Sequence, residues 1–244
     1  MQVLLISDLH LEEERPDISR AFFRFLQEQA QHADALYILG DFFEVWVGDD
    51  ERRPLQVQVI EALRALSDRG IQVYFLHGNR DFLIGQQFAE EAGVQLLDDP
   101  TLVELGGQPI LLMHGDTLCT RDTEYAKFRA MVRNPQWQAM MLKRPLVERQ
   151  TMARQLREMS MARNQGKQME IMDVTQEEVE RVMEQHQVRR LIHGHTHRPQ
   201  VHQLSVAGQD AKRYVLGDWD RGFWYIRITD NQEPELLQQP FPEN

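Results

Sequence analysis

Short apolar runs alternate with helix-forming segments through the first hundred residues of this 244-residue chain. Each run has the length of a buried strand, and the segments between them place apolar residues at helical spacing. Strands that alternate with helices form a sheet covered by those helices. The pattern therefore predicts a layered α/β fold with a mostly parallel sheet. The predicted strands are 3–7, 35–39 and 72–76, and the predicted helices are 17–29, 55–66 and 82–92.

The second half of the chain interrupts this alternation once. Two runs separated by Gly106-Gly107 predict a hairpin. From about 122 to 168 the chain is polar, basic and rich in helix formers, which predicts a helical insert. Because no repeat or long linker divides the sequence, residues 1–244 are predicted to form a single domain that carries this insert. The hairpin runs are 102–105 and 109–113, and strands are predicted again at 190–192, 200–204, 213–216 and 223–228, before a polar tail.

Polar residues follow five of the predicted strands, at the carboxyl edge where open α/β sheets bind ligands. Each motif alone is also an ordinary turn, but their shared position favours one site. The side chains offer carboxylate, amide and imidazole donors without thiolate, a set that suits Mn²⁺, Fe²⁺ or Zn²⁺. Seven donors are too many for one ion, and a bridging Asp41 would hold two ions about 3.5–4 Å apart. The candidate ligands are Asp8, His10, Asp41, Asn79, His114, His195 and His197.

The order of these motifs resembles that of the calcineurin-like metallophosphoesterases, in which Asp-x-His, Gly-Asp, Gly-Asn, His and Gly-His-x-His follow one another. The resemblance implies a layered fold with β-sheets between helices, and a hydroxide bridging two metal ions as the nucleophile. It implies one ion bound by Asp8, His10, Asp41 and His197 and another bound by Asp41, Asn79, His114 and His195.

One residue departs from the pattern of the wider family. Arg80 stands where that family has a histidine thought to protonate the leaving group. Arginine does not release a proton at neutral pH, but its guanidinium can hold phosphate oxygens bidentately. We therefore expect Arg80 to stabilise charge in the transition state, and a phosphoric anhydride to suit the site better than an alkyl ester.

Nearly the whole chain resembles the UDP-2,3-diacylglucosamine hydrolase family of lipid A biosynthesis. The resemblance rests on the Gly-Asn-Arg-Asp variant, segment 40–50 and the basic insert. This resemblance implies two Mn²⁺ ions and a lipid-linked UDP-sugar substrate. It also implies attack of water on the α-phosphorus, release of UMP and 2,3-diacylglucosamine 1-phosphate, and a position at the cytoplasmic face of the inner membrane. The substrate contacts that it implies are Asn79, Arg80, Asp122, Ser160, Asn164, Lys167 and His195.

Charge is distributed unevenly along the chain. The net charge of −11 disfavours a nucleic-acid partner, and no protein partner is predicted. Between Arg121 and Lys167, however, the sequence contains 11 basic and only 4 acidic residues. This local positive charge predicts contact with an anionic membrane surface. The insert is also rich in methionine, which suits either an adaptable groove for acyl chains or the core of packed helices. The methionines concerned are Met131, Met140, Met141, Met152, Met159, Met161, Met169 and Met172.

Two other functions are compatible with parts of this pattern. Another dinuclear-metal phosphodiesterase or nucleotide pyrophosphatase of the same superfamily would share the metal site, and only Arg80 and the insert argue against it. A non-catalytic scaffold that has lost its metal ions is the other alternative. It is disfavoured because all seven candidate ligands are present in order.

Overall fold

The computed structural model describes residues 1–164 and 173–241, with the side chains of 161–164 left out. In this part, two β-sheets pack against each other and helices cover their outer faces, so the predicted layered α/β fold is confirmed. The strands are β1 (Gln2–Ile6), β2 (Ala35–Ile38), β3 (Gln72–Leu76), β4 (Val94–Leu97), β5 (Thr101–Leu105), β6 (Gln108–Leu112), β7 (Arg190–His193), β8 (Gln200–Val206), β9 (Gln209–Val215), β10 (Phe223–Thr229) and β11 (Glu235–Gln239). The helices are α1 (Pro16–Glu28), α2 (Pro54–Asp68), α3 (Gln86–Ala92), α4 (Thr123–Val132), α5 (Pro135–Leu142), α6 (Leu146–Asn164) and α7 (Gln176–Gln185).

Both sheets are mixed, and five of their nine strand pairs are parallel. The first has the strand order β11-β10-β1-β2-β3-β4. In it, β1 to β4 are parallel to one another, β10 is antiparallel to β1, and β11 is antiparallel to β10. The second has the order β5-β6-β7-β9-β8, in which only β6, β7 and β9 are parallel. The predicted hairpin β5–β6 is one of the antiparallel pairs, and the hairpins β8–β9 and β10–β11 add two more, because a hairpin places successive strands antiparallel.

The side chains of β1 show how the layers are held together. Leu4 and Ile6 pack with the helices on the outer face of the first sheet, whereas Val3 and Leu5 pack in the core between the two sheets. Successive side chains of a strand point to opposite faces, so a strand buried on both faces is an uninterrupted apolar run. This double burial directs the polar residues of this part of the chain to the strand ends.

Several elements differ from the sequence predictions. Helix α3 begins at Gln86, four residues later than predicted, because Asp49 accepts hydrogen bonds from the backbone N–H groups of Gly85 and Phe88 and fixes its first turn. The short strand β4 and helix α7 were not predicted. Strand β11 lies in the segment predicted to be a polar tail, where it pairs with β10 at the edge of the first sheet and remains partly exposed.

The predicted insert consists of α4, α5 and α6 as far as residue 164, and 165–168 lie outside the described residues. Helix α4 is fastened to the body through Asp116, whose Oδ2 accepts hydrogen bonds from Tyr125 Oη at 2.5 Å and Arg129 Nε at 2.7 Å. Helix α6 is fastened through Arg149, which reaches the loop at Gly48. No described helix is long and apolar enough to cross a membrane.

Candidate metal centre

The candidate ligands lie on loops that leave the strands in an unusual backbone conformation. Five of the seven have φ between 50° and 66°, in the left-handed region that residues other than glycine rarely adopt. Strain of this kind costs about 1–3 kcal/mol per residue and is concentrated at functional sites. It is maintained here by the surrounding structure. The five are Asp8, His10, Asp41, His195 and His197.

Two glycines allow these loops to approach one another. A Cβ atom on Gly78 would lie 2.1 Å from the backbone nitrogen of Asp41, and one on Gly194 would lie 2.1 Å from Oδ2 of Asp8. Real Cβ atoms do not make contacts this short, so any side chain would displace a candidate ligand. The glycines beside the predicted donors are therefore required by close packing of the site.

The first group of donors is Asp8, His10 and His197. His10 Nε2 lies 3.3 Å from His197 Nε2, and His197 Nε2 lies 3.4 Å from Asp8 Oδ1. Two ligands bound to one ion at about 2.1 Å each are about 3 Å apart. The spacing therefore suits three donors that surround a single cation.

The second group of donors is Asp41, His114 and His195, together with the amide of Asn79. Asn79 Oδ1 lies 3.0 Å from His114 Nε2 and 3.0 Å from His195 Nδ1. Asp41 Oδ1 is 3.7 Å from His114 Nε2. These four side chains face a common point beside the first group.

Asp41 reaches both groups with different oxygens. Its Oδ1 faces His114, and its Oδ2 lies 4.0 Å from His10 Nε2. The backbone N–H of Arg80 donates to Oδ1 at 2.9 Å and fixes the orientation of the carboxylate. The arrangement agrees with the predicted bridging role, and the seven-residue ligand set stays a prediction.

The remote nitrogens of three histidines have partners that fix the ring orientation. His10 Nδ1 donates to Glu44 Oε2 at 2.7 Å, and His114 Nδ1 donates to the carbonyl of Leu39 at 2.9 Å. His197 Nδ1 lies 3.3 Å from Asp218 Oδ2. With the proton on Nδ1, each ring presents the lone pair of Nε2 to the site, as metal-binding histidines do. The donor set and its orientation therefore fit two divalent ions.

The carboxylates make the site strongly favourable to positive charge. Burial alone would lower the pKa of His114. The negative charges of Asp41, Asp116 and Asp8 outweigh burial, and the pKa is raised to about 9. His197 behaves in the same way, since burial is outweighed by Asp218 and Asp8, and its pKa is raised to about 10. By contrast, burial and the neighbouring His114 lower the pKa of His195 to about 4.

Two further buried carboxylates lie behind the donors. Asp81 accepts hydrogen bonds from the backbone N–H groups of Phe42 and Gly78 at 2.7 and 2.8 Å, so it holds two site loops together. Its own burial and the nearby Asp41 raise its pKa to about 6. Asp116 lies beside His114, and the charges of His114 and Arg129 hold its pKa below the usual range despite burial.

Comparison with known proteins agrees with this geometry. The family model of the calcineurin-like phosphoesterases matches residues 1–199. The chain belongs to this family. It is 59% identical to the UDP-2,3-diacylglucosamine hydrolase of Marinobacter nauticus over the full length of both chains. It is 56% identical to the hydrolase of that name from Chromohalobacter salexigens, covering 99% of this chain and 98% of the relative. The Pseudomonas aeruginosa hydrolase is 54% identical, over 99% of this chain and 100% of the relative.

In this calcineurin-like phosphoesterase, the donors open into a cavity of about 430 Å³ between the body and the insert. Arg80, Asp122 and Ser160, all predicted substrate contacts, line it together with Asn79 and His195. Asp122 is also the N-cap of α4, because its Oδ1 accepts from the backbone N–H of Tyr125. The Asn164 side chain and Lys167 are outside the described residues. Apolar side chains form the apolar wall of this cavity: Val45, Trp46, Phe82, Leu83, Phe128, Trp137, Met141, Leu156 and Met159.

The methionines of the insert fall into more than one environment. Met141 and Met159 line the cavity, whereas Met131 and Met140 are exposed. Met152 is half-buried, with its sulfur 3.7 Å from Arg144. Met161, Met169 and Met172 lie outside the residues whose side chains are described. Within the described residues, only part of the cluster therefore faces the cavity, and four of the nine side chains of its apolar wall are aromatic residues that the sequence analysis did not single out.

The sequence analysis also did not find the partners of the ligands. Asp218 follows β9, so the same rule that found the ligands applies to it. Glu44 is a single carboxylate within the apolar run Phe42 to Val47, which is a signal of a buried charge with a partner. Asp116 follows His114 directly after β6.

Proposed function

We propose that this chain hydrolyses the pyrophosphate bond of UDP-2,3-diacylglucosamine in lipid A biosynthesis. Water attacks the α-phosphorus and releases UMP and 2,3-diacylglucosamine 1-phosphate. The observation that carries the proposal is one cavity that joins two groups of metal donors, an arginine and a long apolar wall. The names of relatives that are 54–59% identical over almost the whole chain support the same activity.

Two divalent ions bound by the donors would supply Lewis-acid activation of water and of the phosphoryl oxygen. We propose Mn²⁺ for both positions, since a set of carboxylate, amide and imidazole donors without thiolate suits this ion. Asp41 aligns the two groups with its two oxygens. Glu44, Leu39 and Asp218 hold the imidazoles in the orientation that ligation requires.

Arg80 has the position and the hydrogen-bonding capacity to stabilise a phosphate. Its backbone is fixed by Asp41, while its side chain lines the cavity. Within the described residues, the Nε–H of Arg80 is buried and has no hydrogen-bond acceptor. A buried donor of this kind is costly unless a ligand satisfies it. We infer that phosphate oxygens accept from this guanidinium and that it stabilises charge as the leaving phosphate departs.

The apolar wall supports an acylated substrate. Trp46, Phe82, Phe128 and Trp137 line the same cavity as the metal donors. Phe82 and Trp137 pack with ring centroids 6.3 Å apart, so the wall joins the body to α5. A small phosphodiester would leave this wall uncovered, whereas acyl chains would remove it from water.

We also propose that the turn between α5 and α6 meets an anionic lipid surface at the cytoplasmic face of the inner membrane. Leu142 and Val147 are exposed there, and Lys143 and Arg144 lie between them. Apolar side chains flanked by basic residues favour the interface of an anionic membrane. Peripheral contact at this turn would bring the cavity close to a lipid substrate.

The activity is tested by comparing two substrates. We expect Mn²⁺-dependent turnover of UDP-2,3-diacylglucosamine that chelator abolishes, with UMP as a product, and weaker turnover of bis-p-nitrophenyl phosphate. Asn79→Ala should reduce both activities, because Asn79 is a proposed ligand. Trp137→Ala should reduce only the turnover of the acylated substrate. Equal efficiency on both substrates in the wild type would instead favour a general phosphodiesterase.

Membrane contact is tested by flotation with vesicles of phosphatidylglycerol and with vesicles of phosphatidylcholine. We expect binding to the anionic vesicles only, and a loss of binding in the double variant Leu142→Ser, Val147→Ser. A matched control is Leu102→Ser, which removes an exposed leucine of β5, outside the insert. Unchanged binding of the double variant would reject this turn as the contact surface.

A further inference from the structure

Glu44 lies where the metal centre, the phosphate-facing arginine and the insert meet. Its side chain is buried, and its backbone N–H donates to the carbonyl of Leu11 at 3.2 Å, which fixes the residue beside the first donor group. The Oε2 atom accepts from His10 Nδ1 at 2.7 Å. The Oε1 atom lies 3.1 Å from Arg157 Nε, on α6, and 3.8 Å from Arg80 Nη1.

We propose that Glu44 is a positioning residue that couples the insert to the metal centre. One carboxylate oxygen holds His10 in its ligating orientation. The other holds Arg157 beside Arg80 at the rim of the cavity, so that two guanidinium groups face the phosphates. The assignment of phosphate binding to these arginines rests on the proposed function, whereas the action on His10 requires only metal binding.

Charge explains why a carboxylate is needed at this position. Arg80 and Arg157 approach the same point, and two guanidinium groups repel each other unless an anion lies between them. Glu44 is that anion, and its burial means that solvent screens the interaction weakly. Glutamine in its place would keep an acceptor for His10 but would not offset the two positive charges.

The chain provides a matched control for the insert side of this contact. Glu12 Oε2 lies 3.5 Å from Arg157 Nη1, whereas Glu44 contacts Nε of the same guanidinium. Within the described residues, Glu12 makes no hydrogen bond or ion pair with His10, and it lines a second cavity of about 620 Å³ that Glu44 and Arg157 also line. Glu12→Ala therefore removes a carboxylate from Arg157 and leaves the ligand untouched.

The first test measures Mn²⁺ binding by the electron paramagnetic resonance signal of the free ion, without substrate. Loss of a partner that orients a metal-binding histidine costs about 10–100-fold in metal affinity. We expect a change of that size for Glu44→Ala, a smaller change for Glu44→Gln, and wild-type affinity for Arg157→Ala and Glu12→Ala. Wild-type affinity in a folded Glu44→Ala variant would overturn the action on His10.

The second test measures KM for UDP-2,3-diacylglucosamine at saturating Mn²⁺. Glu44→Gln and Arg157→Ala should each raise KM, and the double variant should raise it no further than Arg157→Ala alone. Multiplicative effects would show that the two residues act separately and would overturn the coupling. If the wild type binds Mn²⁺ but does not turn over this substrate, the proposed function fails, and the Mn²⁺ affinities still decide the action of Glu44 on His10.

Discussion

Arg149 should control how firmly α6 is held against the body. Its side chain is 3% exposed and donates to two backbone carbonyls, that of Val47 at 2.6 Å and that of Arg144 at 3.0 Å. It also forms a bidentate ion pair with Asp50, in which Nη1 and Nη2 each donate to one carboxylate oxygen. We therefore predict that Arg149→Met, which keeps the apolar stem and removes the guanidinium, loosens the insert.

The size of the effect follows from the burial of each partner. A buried acceptor left without a donor costs about 1–3 kcal/mol; the carbonyl of Val47 is such an acceptor, and the contact with the carbonyl of Arg144 is partly buried. The carboxylate of Asp50 is 59% exposed, so its ion pair adds about 0–1 kcal/mol. We take about 3 kcal/mol, which increases the opening equilibrium of α6 by about 100-fold.

Hydrogen exchange of backbone amides measures this opening segment by segment. Protection of amides in 146–160 should fall by about 100-fold, while amides of β1 to β3 keep their wild-type exchange rates. Arg154→Met is the matched control, because Arg154 is an exposed arginine of the same helix. Unchanged protection in 146–160, or an equal loss in the central strands, would refute the argument that Arg149 holds α6 locally.

Three more outcomes are expected. Gly194→Ala should displace Asp8 and lower the Mn²⁺ stoichiometry, measured by calorimetry, because the new Cβ atom would lie 2.1 Å from Asp8 Oδ2. Burial raises the pKa of Asp99 to about 6, so its contribution to stability is complete below about pH 4 and is lost as the pH rises through 6. Asp99→Asn should therefore stabilise the chain at pH 8 by about 2 kcal/mol in urea unfolding and have little effect at pH 4. Mn²⁺ affinity should rise from pH 6 to pH 9, because bound metal must displace protons from His114 and His197, whose pKa values are raised to about 9 and 10; a flat profile would contradict this.

The sequence predicts that the candidate donors lie close together because their positions follow from strand ends. Asp8, Asp41 and His114 each come within three residues of a strand that is buried on both faces, and parallel strands bring such residues to one edge. The edge strand β11 could not be predicted in the same way. It is partly exposed, and Leu236 and Leu237 are its only apolar residues, so it lacks the continuous apolar run that marks a central strand.

The partners of the donors depend on how loops cross, which residue patterns do not encode. Glu44 meets His10 only because the loop after β2 crosses the loop after β1, where Leu11 and Phe43 form an isolated bridge. Arg157 reaches the same carboxylate from more than 100 residues away along the chain. Contacts of this kind are a property of the packed structure, so the proposed coupling of the insert to the metal centre could not be predicted from the sequence.

The charge of the site indicates an order of binding. Asp8, Asp41 and Asp116 are buried carboxylates around the donors, and the lowered pKa values of Asp8 and Asp116 keep them ionised. Before cations bind, these groups repel a pyrophosphate, and the carboxylate of Glu44 partly neutralises the positive charges of Arg80 and Arg157. Divalent cations bound by these donors would reverse the sign of the site and would leave the guanidinium groups as additional anion contacts. The substrate should therefore bind after the metal ions, and the acidic body that disfavours anions overall becomes selective for a phosphate only at the loaded centre.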